Sequence, residues 1–220
     1  MTYERLLLLP LFQGMTMADM HDAVATTKFL FKKYSAGKVV AKENDALTSL
    51  CLLLDGTLMV KTKAHDGSYS LTERLLAPNI LQPERLFGFT QRYTKTFQAR
   101  TTCHFVFLGK DDVLRLIEKQ EIFRLNLLNM ISTQSQRAQQ WAWRAHPADI
   151  RSKILRFVEQ RASMPAGEKT LTIKMETLAT LLAESRLNVS RELHRLQERG
   201  LIKMGRSKIV IPNFENLYKE

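Results

Sequence analysis

Polar side chains that suit contact with nucleic acid are concentrated between Arg186 and Arg195. Apolar Val189, Leu193 and Leu196 recur among them at steps of four and three residues, which predicts a helix with one apolar face. An Arg side chain can donate two hydrogen bonds to O6 and N7 of guanine, so a basic opposite face suits a DNA major groove. That opposite face carries Arg186, Asn188, Ser190, Arg191 and Arg195. Because a basic helical face is also typical of solvated surface, its surroundings must decide between the two interpretations.

The preceding segment predicts a scaffold that presents this face. Leu178, Leu181 and Leu182 stand at i, i+3 and i+4, so they share one side of a first helix. A turn at residues 183–184 separates the two helices, and Ser185 is placed to cap the second helix with its hydroxyl. The stretch from Met175 to Gly200 is therefore predicted to be a helix–turn–helix.

A basic β-hairpin is predicted directly after Gly200, because LIKM and KIVI flank a turn at Gly205-Arg206-Ser207. Arg206 and Lys208 lie at its tip, where they can reach phosphates. Helix–turn–helix followed by a basic hairpin is the layout of a winged helix, which is far more specific than either part alone. The C-terminal third is therefore predicted to bind double-stranded DNA.

The composition is compatible with DNA binding but does not show which part of the chain binds DNA. The chain has 220 residues, with 33 Lys and Arg against 22 Asp and Glu, a net charge of +11 and a pI near 9.8. This balance favours an anionic partner, either nucleic acid or an acidic membrane face. The excess is spread along the chain, since residues 147–220 hold 14 Lys and Arg and 9 Asp and Glu.

Redox, metal and membrane chemistry are not expected. The two cysteines, Cys51 and Cys103, lie in apolar runs typical of strands and are interpreted as buried free thiols. His104 follows Cys103, and we favour a structural role for this pair over haem or redox sensing. The histidines are scattered, so no metal site is predicted. We find no signal peptide and no apolar stretch long enough for a membrane span, and we expect a cytoplasmic protein.

The rest of the chain predicts a β-rich region followed by a long helix. Residues 1–27 are predicted helical, and short strands separated by Gly, Asn, Asp and Pro fill residues 29–107, as in a sandwich or barrel. After a short helix at residues 110–120, a helix runs to about Ala145 with coiled-coil spacing, and Pro147 ends it. This helix either covers the β-region or pairs with its twin in a homodimer. The predicted dimer residues are Phe123, Leu127, Met130, Ile131, Gln134, Ala138 and Trp141.

Nearly the whole chain resembles the CRP/FNR family of bacterial transcription regulators. LPLFQGMTMADMHDAV is similar to the family's opening helix, YSAGKVVAKEND and SLCLLLDGTLMV to two turns of its β-roll, and AESRLNVSRELHRLQERGLIK to its recognition helix. The resemblance implies an α+β fold with a cyclic-nucleotide-binding-like β-roll at residues 1–120, a dimerisation helix at residues 121–146 and a winged helix–turn–helix at residues 147–220. It also implies a homodimer that reads a near-palindromic operator, with RNA polymerase as a further partner and no catalytic activity.

In the family's recognition helix, an Arg-Glu pair and a later Arg touch base edges. The resemblance places Arg186 and Arg191 at the Arg positions and Ser185 and Asn188 at flanking polar ones. Leu187 stands where the family usually has Glu, and an apolar side chain can contact a thymine methyl but cannot accept from cytosine N4. We therefore expect an operator that differs from that of the best-known members.

The family's cyclic-nucleotide cassette is altered here. Members that bind these ligands carry Gly-Glu at the head of a short helix and Arg-Ser/Thr-Ala after it, and in this alignment Pro83-Glu84 and Lys95-Thr96-Phe97 replace them. Glu84, Lys95 and Thr96 can still cradle a cyclic phosphate. However, Pro83 lacks a backbone donor and Lys95 lacks the fork of Arg, so we expect a degenerate pocket that binds neither cyclic AMP nor cyclic GMP. The effector, if one exists, is not identified by the sequence.

An alternative from another functional class stays open. A β-roll resembles cupin barrels, so the chain could be a ligand carrier or metalloenzyme whose C-terminal helices serve only for association.

Overall fold

A computed structural model describes residues 3–218, apart from the side chains of Tyr3, Trp141 and Ala142. Short 3₁₀ segments lie at Tyr3–Leu8, Pro10–Phe12, Pro83–Arg85 and Phe214–Tyr218. The helices are α1 (Met17–Thr26), α2 (Lys110–Lys119), α3 (Glu121–Trp143), α4 (Ile150–Glu159), α5 (Met175–Leu181) and α6 (Arg186–Glu198). The strands are β1 (Phe29–Tyr34), β2 (Val39–Ala41), β3 (Ser49–Asp55), β4 (Thr57–Lys63), β5 (Tyr69–Leu76), β6 (Asn79–Leu81), β7 (Thr96–Ala99), β8 (Cys103–Gly109), β9 (Lys169–Ile173), β10 (Lys203–Gly205) and β11 (Lys208–Ile211).

The chain forms two compact units whose boundaries differ from the predicted ones. The first unit contains the residues up to Leu58 together with Leu75–Ala142, so α3 belongs to it over most of its length. The second contains Met59–Arg74 and the residues from Trp143 onward. The segment Met59–Arg74, which we call the arm, is thus separated in sequence from the unit in which it packs.

The first unit is built on an antiparallel sheet in the order β1-β8-β3-β6, and β2 pairs with β7. In β3 the five consecutive residues 50–54 are buried, so this strand is covered on both faces. Gly56 makes the turn to β4 with a φ of 99°, and a Cβ there would lie 2.5 Å from the carbonyl oxygen of Thr102. Only glycine fits this turn without a shift of the backbone.

The start of the chain differs from the single predicted helix over residues 1–27. Pro10 has no backbone donor, and Gly14 has a φ of 89°, so the helix is interrupted between residues 8 and 17. Thr16 then starts α1 with a capping box, in which its hydroxyl accepts from the Asp19 N–H and the Asp19 carboxylate accepts from the Thr16 N–H.

The first half of α3 packs within its own unit, which corrects part of the predicted dimer stripe. Phe123 and Leu127 are buried, and the Phe123 ring lies 5.3 Å from that of Phe12. Asn126 donates to the carbonyl oxygens of Leu11 and Gln13, which fixes the helix against the N-terminal segment. Phe123 and Leu127 are therefore core residues and are not available to a partner helix.

The remaining predicted dimer residues are more exposed. Met130 and Ile131 are half-buried, and Gln134 and Ala138 are exposed; the side chain of Trp141 lies outside the described set. Leu125 and Leu128, which were not among the predicted dimer residues, are about half exposed on the first half of the helix.

The second unit has its own core, in which helices α4, α5 and α6 cover one face of a sheet in the order β10-β11-β9-β5. Asp149 caps α4 by accepting from the Ser152 N–H at 2.8 Å, and this backbone hydrogen bond lowers the pKa of the Asp149 carboxyl. Leu71 of the arm is fully buried in the same core.

The predicted fold class is confirmed, and β1 to β7 with most of β8 lie in residues 29–107, where short strands were predicted. The short helix predicted at residues 110–120 coincides with α2, which ends at Lys119.

Candidate nucleic-acid interface and sensor pocket

The helix–turn–helix has the predicted layout. Ala183 makes the turn with a φ of 51°, and the Ser185 hydroxyl caps α6 by accepting from the Asn188 N–H at 3.1 Å. Leu178 of α5 and Val189 of α6 are fully buried in the core of the second unit, and this burial sets the rotation of α6 about its axis. The opposite face of α6 consequently points away from the core.

This face, which we call the recognition face, carries every residue predicted for it. Its exposed members are Ser185, Arg186, Leu187, Asn188, Arg191 and Arg195, and Ser190 is half-buried. Leu187 is 59% exposed, although nothing in the core of the unit requires an apolar side chain there. An exposed leucine between two arginines is consistent with an apolar contact to a ligand.

The arginines of the recognition face are held weakly or not at all. Arg186 Nη1 lies 3.5 Å from Glu176 Oε1, and both side chains are more than two-thirds exposed, so this pair contributes little stability. Arg191 has no ion-pair partner among residues 3–218. Both guanidinium groups can therefore turn to an incoming anion or base edge at low cost.

His194 also lies on the exposed side of α6 and was not predicted as a site residue. Its Nδ1 is 2.7 Å from the Ser190 carbonyl oxygen, a geometry in which Nδ1–H donates and Nε2 is directed away from the helix. Spacing could have identified it, because it stands three residues after Arg191 on the same face.

The predicted wing is present. β10 and β11 pair as Gly205↔Lys208 around a two-residue turn, where Ser207 has a φ of 52°. Arg206 and Lys208 are exposed at this tip. The Ser207 carbonyl oxygen accepts from the Ile173 N–H at 3.0 Å, which ties the wing tip to the end of β9.

In the first unit, Gln82 and Thr94 are brought together by two hydrogen bonds. Thr94 N–H donates to Gln82 Oε1 at 3.0 Å, and Gln82 Nε2 donates to the Thr94 hydroxyl at 2.5 Å. Gln82 is buried, has a φ of 44° and precedes the 3₁₀ segment Pro83–Arg85. This left-handed backbone conformation favours glycine, yet a glutamine adopts it directly before the predicted Pro83-Glu84 pair.

Glu84 and Thr96, two of the three predicted effector residues, make contacts that the structure describes. Glu84 Oε1 lies 3.9 Å from Arg85 Nε, and Glu84 Oε2 is buried without a hydrogen bond. The Thr96 hydroxyl accepts from the Glu43 N–H at 3.2 Å. Lys95 lies next to Thr94, whose polar groups are already bonded to Gln82.

Thiol and metal chemistry find little support in the described residues. Cys51 and Cys103 are free and buried, and burial raises the pKa of both thiols, which keeps them protonated and unreactive. His104 Nδ1 lies 3.6 Å from Asp55 Oδ2. Within residues 3–218, no group of three or more His, Cys, Asp or Glu side chains could hold a metal ion. No helix in this part of the chain is long and apolar enough to cross a membrane.

Comparisons with known proteins agree with this geometry. Residues 31–120 match the family model of the cyclic nucleotide-binding domain, and residues 152–220 match that of the Crp-like helix-turn-helix domain. The chain is 27% identical over 206 residues to the cyclic AMP receptor protein of Thermus thermophilus, covering 89% of each chain.

Two solved structures of similar length share the fold. The catabolite activator protein of Thermus thermophilus has a TM-score of 0.51 at 20% identity, covering 96% of this chain and 97% of that one. A putative transcriptional regulator of the CRP/FNR family from Eubacterium rectale has a TM-score of 0.52 at 19% identity, covering 96% and 99%. The match to the helix-turn-helix model covers the C-terminal helices. The cupin-like alternative gave these helices only a role in association, so that alternative is not favoured.

Proposed function

We propose that this chain, which belongs to the CRP/FNR family of DNA-binding transcription regulators, reads a near-palindromic operator as a homodimer. The observation that carries the proposal is the recognition face, where two weakly held arginines flank an exposed leucine on a capped helix. Two such helices related by a twofold axis meet successive major grooves about 34 Å apart on one side of DNA.

We assign different roles to the residues of this surface. Arg186 and Arg191 contact base edges, each able to bind O6 and N7 of one guanine. Leu187 contacts a thymine methyl group, which gives the operator a base preference at that position that a Glu would not share. Phosphates are contacted from the flanks of the helix and from the wing by Ser185, Asn188, Ser190, Arg195, Arg206 and Lys208.

The second half of α3 supports the proposed dimer. All side chains from Ser132 to Gln140 are exposed in the single chain, and Leu125 and Leu128 open an apolar patch on the first half. A helix that emerges this far from its own unit gains stability by packing against a second copy. We therefore propose that Leu125 and Leu128, with Met130, Ile131 and Ala138, line the contact between the two protomers.

We infer that the sensor does not respond to cyclic AMP or cyclic GMP. Pro83 offers no backbone donor in the cassette, and Lys95 lacks the fork with which an Arg binds a phosphate. Any effector bound by Glu84, Lys95 or Thr96 would act by shifting the dimer between two arrangements, with the winged helices turning about Pro147. RNA polymerase in the bacterial cytoplasm is the expected partner of the DNA-bound dimer, and no reaction is catalysed.

The test is the salt dependence of binding to a random DNA duplex. We expect log K to fall linearly with log salt, with a shallower slope for Arg206→Ala, since each phosphate contact contributes about 0.9 to the slope. Arg191→Ala should instead weaken binding to the preferred sequence and leave the slope on random DNA nearly unchanged. Absence of any DNA binding at low salt would refute the proposal. Calorimetry that detected cyclic AMP binding in the micromolar range would refute the inference about the sensor.

A further inference from the structure

The arm packs in the second unit, although in sequence it lies between β3 and β6, two strands of the first unit. β5 pairs antiparallel with β9 from Tyr69↔Ile173 to Glu73↔Lys169. Leu71 is buried between these ends in the core of the unit. The arm thus completes the sheet of the winged helix as its next strand.

A buried ion pair holds the arm at this register. Lys169 Nζ lies 2.8 Å from Glu73 Oε1, and the two side chains are 0% and 1% exposed. Glu73 also accepts from the N–H groups of Ser163 and Met164, and Lys169 donates to the Ala166 carbonyl oxygen. Because the polar groups of the pair are bonded, a shift of the arm by one residue would leave buried charges without partners.

The turn of the arm lies at the same end of the sheet as the tip of the wing. The wing turn is bonded to Ile173, and Ile173 is the register partner of Tyr69, where the arm turn ends. The arm turn is closed by a hydrogen bond from the Ala64 N–H to the Tyr69 carbonyl oxygen at 2.9 Å. Its carboxylate, Asp66, is engaged by the N–H and hydroxyl of Ser68.

A row of cations and hydroxyls crosses the face of this sheet opposite to Leu71, and within this row Ser70 is only 7% exposed. Lys208 is paired with Thr172, and Thr172 with Ser70. The bond between Ala64 and Tyr69 places Lys63 next to Ser70 on β4, so the row runs from a lysine on the wing to a lysine on the arm. Three strand spacings separate its ends, which is about 14 Å.

The neighbouring row begins with the apolar Val210 on β11, which is paired with Thr170, and continues with hydroxyls and a lysine. Thr170 is paired with Thr72, and Lys61 lies beside Thr72 on β4. Lys61 and Lys63 are both exposed. Neither of these two rows, all of whose residues are described, contains a carboxylate.

We propose that the arm acts as a second wing: Lys61 and Lys63 bind DNA phosphates beside those contacted by Arg206 and Lys208. Lys61 and Lys63 are exposed and lie in rows that reach the wing, and their charge is complementary to a phosphate backbone. At 3.4 Å per base along one strand, about 14 Å extends the contact by roughly four base steps beyond the wing. This inference rests on the proposed DNA binding but adds a surface from outside the winged helix in sequence.

The test compares two duplexes with the full-length protein. One is a sequence selected by the protein from a random pool and extended beyond both half-sites; the other ends at the half-sites. For Lys61→Ala/Lys63→Ala, we expect the salt slope on the extended duplex to fall by about 1.8 per protomer, because two phosphate contacts are lost. On the trimmed duplex the variant should match the wild type. Hydroxyl-radical protection of the outer phosphates should disappear in the same variant.

The matched control is Lys33→Ala/Lys38→Ala, which removes two exposed lysines of the sensor unit and the same net charge. We expect it to leave both slopes and the footprint unchanged. The charge-reversed pair Lys61→Glu/Lys63→Glu should weaken binding to the extended duplex more than the alanine pair does. An unchanged slope on the extended duplex, or an equal loss in the control, would overturn the second wing. A wild-type protein that binds neither duplex would instead refute the proposed function.

Discussion

Replacement of Glu73 by Gln tests whether the buried ion pair holds the arm in the DNA-binding unit. Gln keeps the shape of the side chain and an oxygen that can accept from the N–H groups of Ser163 and Met164, but it removes the charge that faces Lys169. The buried ammonium then loses its counter-ion and keeps only neutral oxygens as acceptors, among them the Ala166 carbonyl oxygen. Breaking a buried pair in this way costs about 3–5 kcal/mol, and the remaining hydrogen bonds favour the lower end.

The assay is thermal and urea unfolding of the full chain, followed by circular dichroism. A loss of about 3 kcal/mol corresponds to a fall in Tm of roughly 6–12 °C for a protein of this size. Glu168→Gln is the matched control, because Glu168 pairs with Arg74 at 2.6 Å between the same two strands but on the outer face, where its side chain is 29% exposed. We expect this control to lose less than about 1 kcal/mol.

Two outcomes would refute the reasoning. If Glu73→Gln and Glu168→Gln lost the same stability, burial would not be what makes the Glu73 pair matter. If Glu73→Gln/Lys169→Met were less stable than Glu73→Gln alone, the cost would not arise from an unpaired buried charge, since the double variant removes that charge.

Three further predictions concern other parts of the chain. Leu128→Asp should shift the protein from dimer to monomer in sedimentation, whereas Phe123→Ala should cost about 3–5 kcal/mol of stability because its ring is buried in its own unit; equal effects on mass would contradict the assignment. Leu187→Glu should change the base preferred at one position of each half-site in a pool selection, and an unchanged selected sequence would count against a base contact by Leu187. Asp149→Ala should lower stability by about 1 kcal/mol near neutral pH. Because the cap lowers the pKa of Asp149 below 3.8, that difference should persist above this value and vanish as the pH falls further; a difference that survived in strong acid would argue against the cap.

Hydrophobic periodicity and the residues that cap helices were sufficient to predict the helices of the winged helix–turn–helix. Val189, Leu193 and Leu196 marked the buried side of α6, and Ser185 marked its first residue, because a helix end requires a local side-chain acceptor. The wing was equally visible, since a glycine and two polar residues between apolar runs are a local signal of a turn.

Long-range pairing could not be predicted from local patterns. The arm has the alternation of an ordinary hairpin, and nothing near Glu73 in the sequence indicates that its partner is Lys169, almost a hundred residues later. The same limit explains Phe123 and Leu127: heptad spacing shows that they are buried, but does not show whether the N-terminal segment or a second helix buries them.

The sensor cassette shows a different limit. The sequence placed Pro83-Glu84 at the family's Gly-Glu position, and the structure adds that the residue before this pair, Gln82, has a left-handed backbone. A glutamine is rarely expected at positive φ, so its presence there was not visible from residue preference. Only the hydrogen bonds to Thr94 explain how it is held.

The central claim is that a symmetric dimer reads DNA through the recognition face, and selection of bound sequences from a random duplex pool tests it most directly. The account predicts enrichment of two inverted half-sites whose centres lie about 10 base pairs apart, and loss of that enrichment in Arg191→Ala. Enrichment of a single unrepeated motif, or a sequence preference that Arg191→Ala leaves intact, would contradict it.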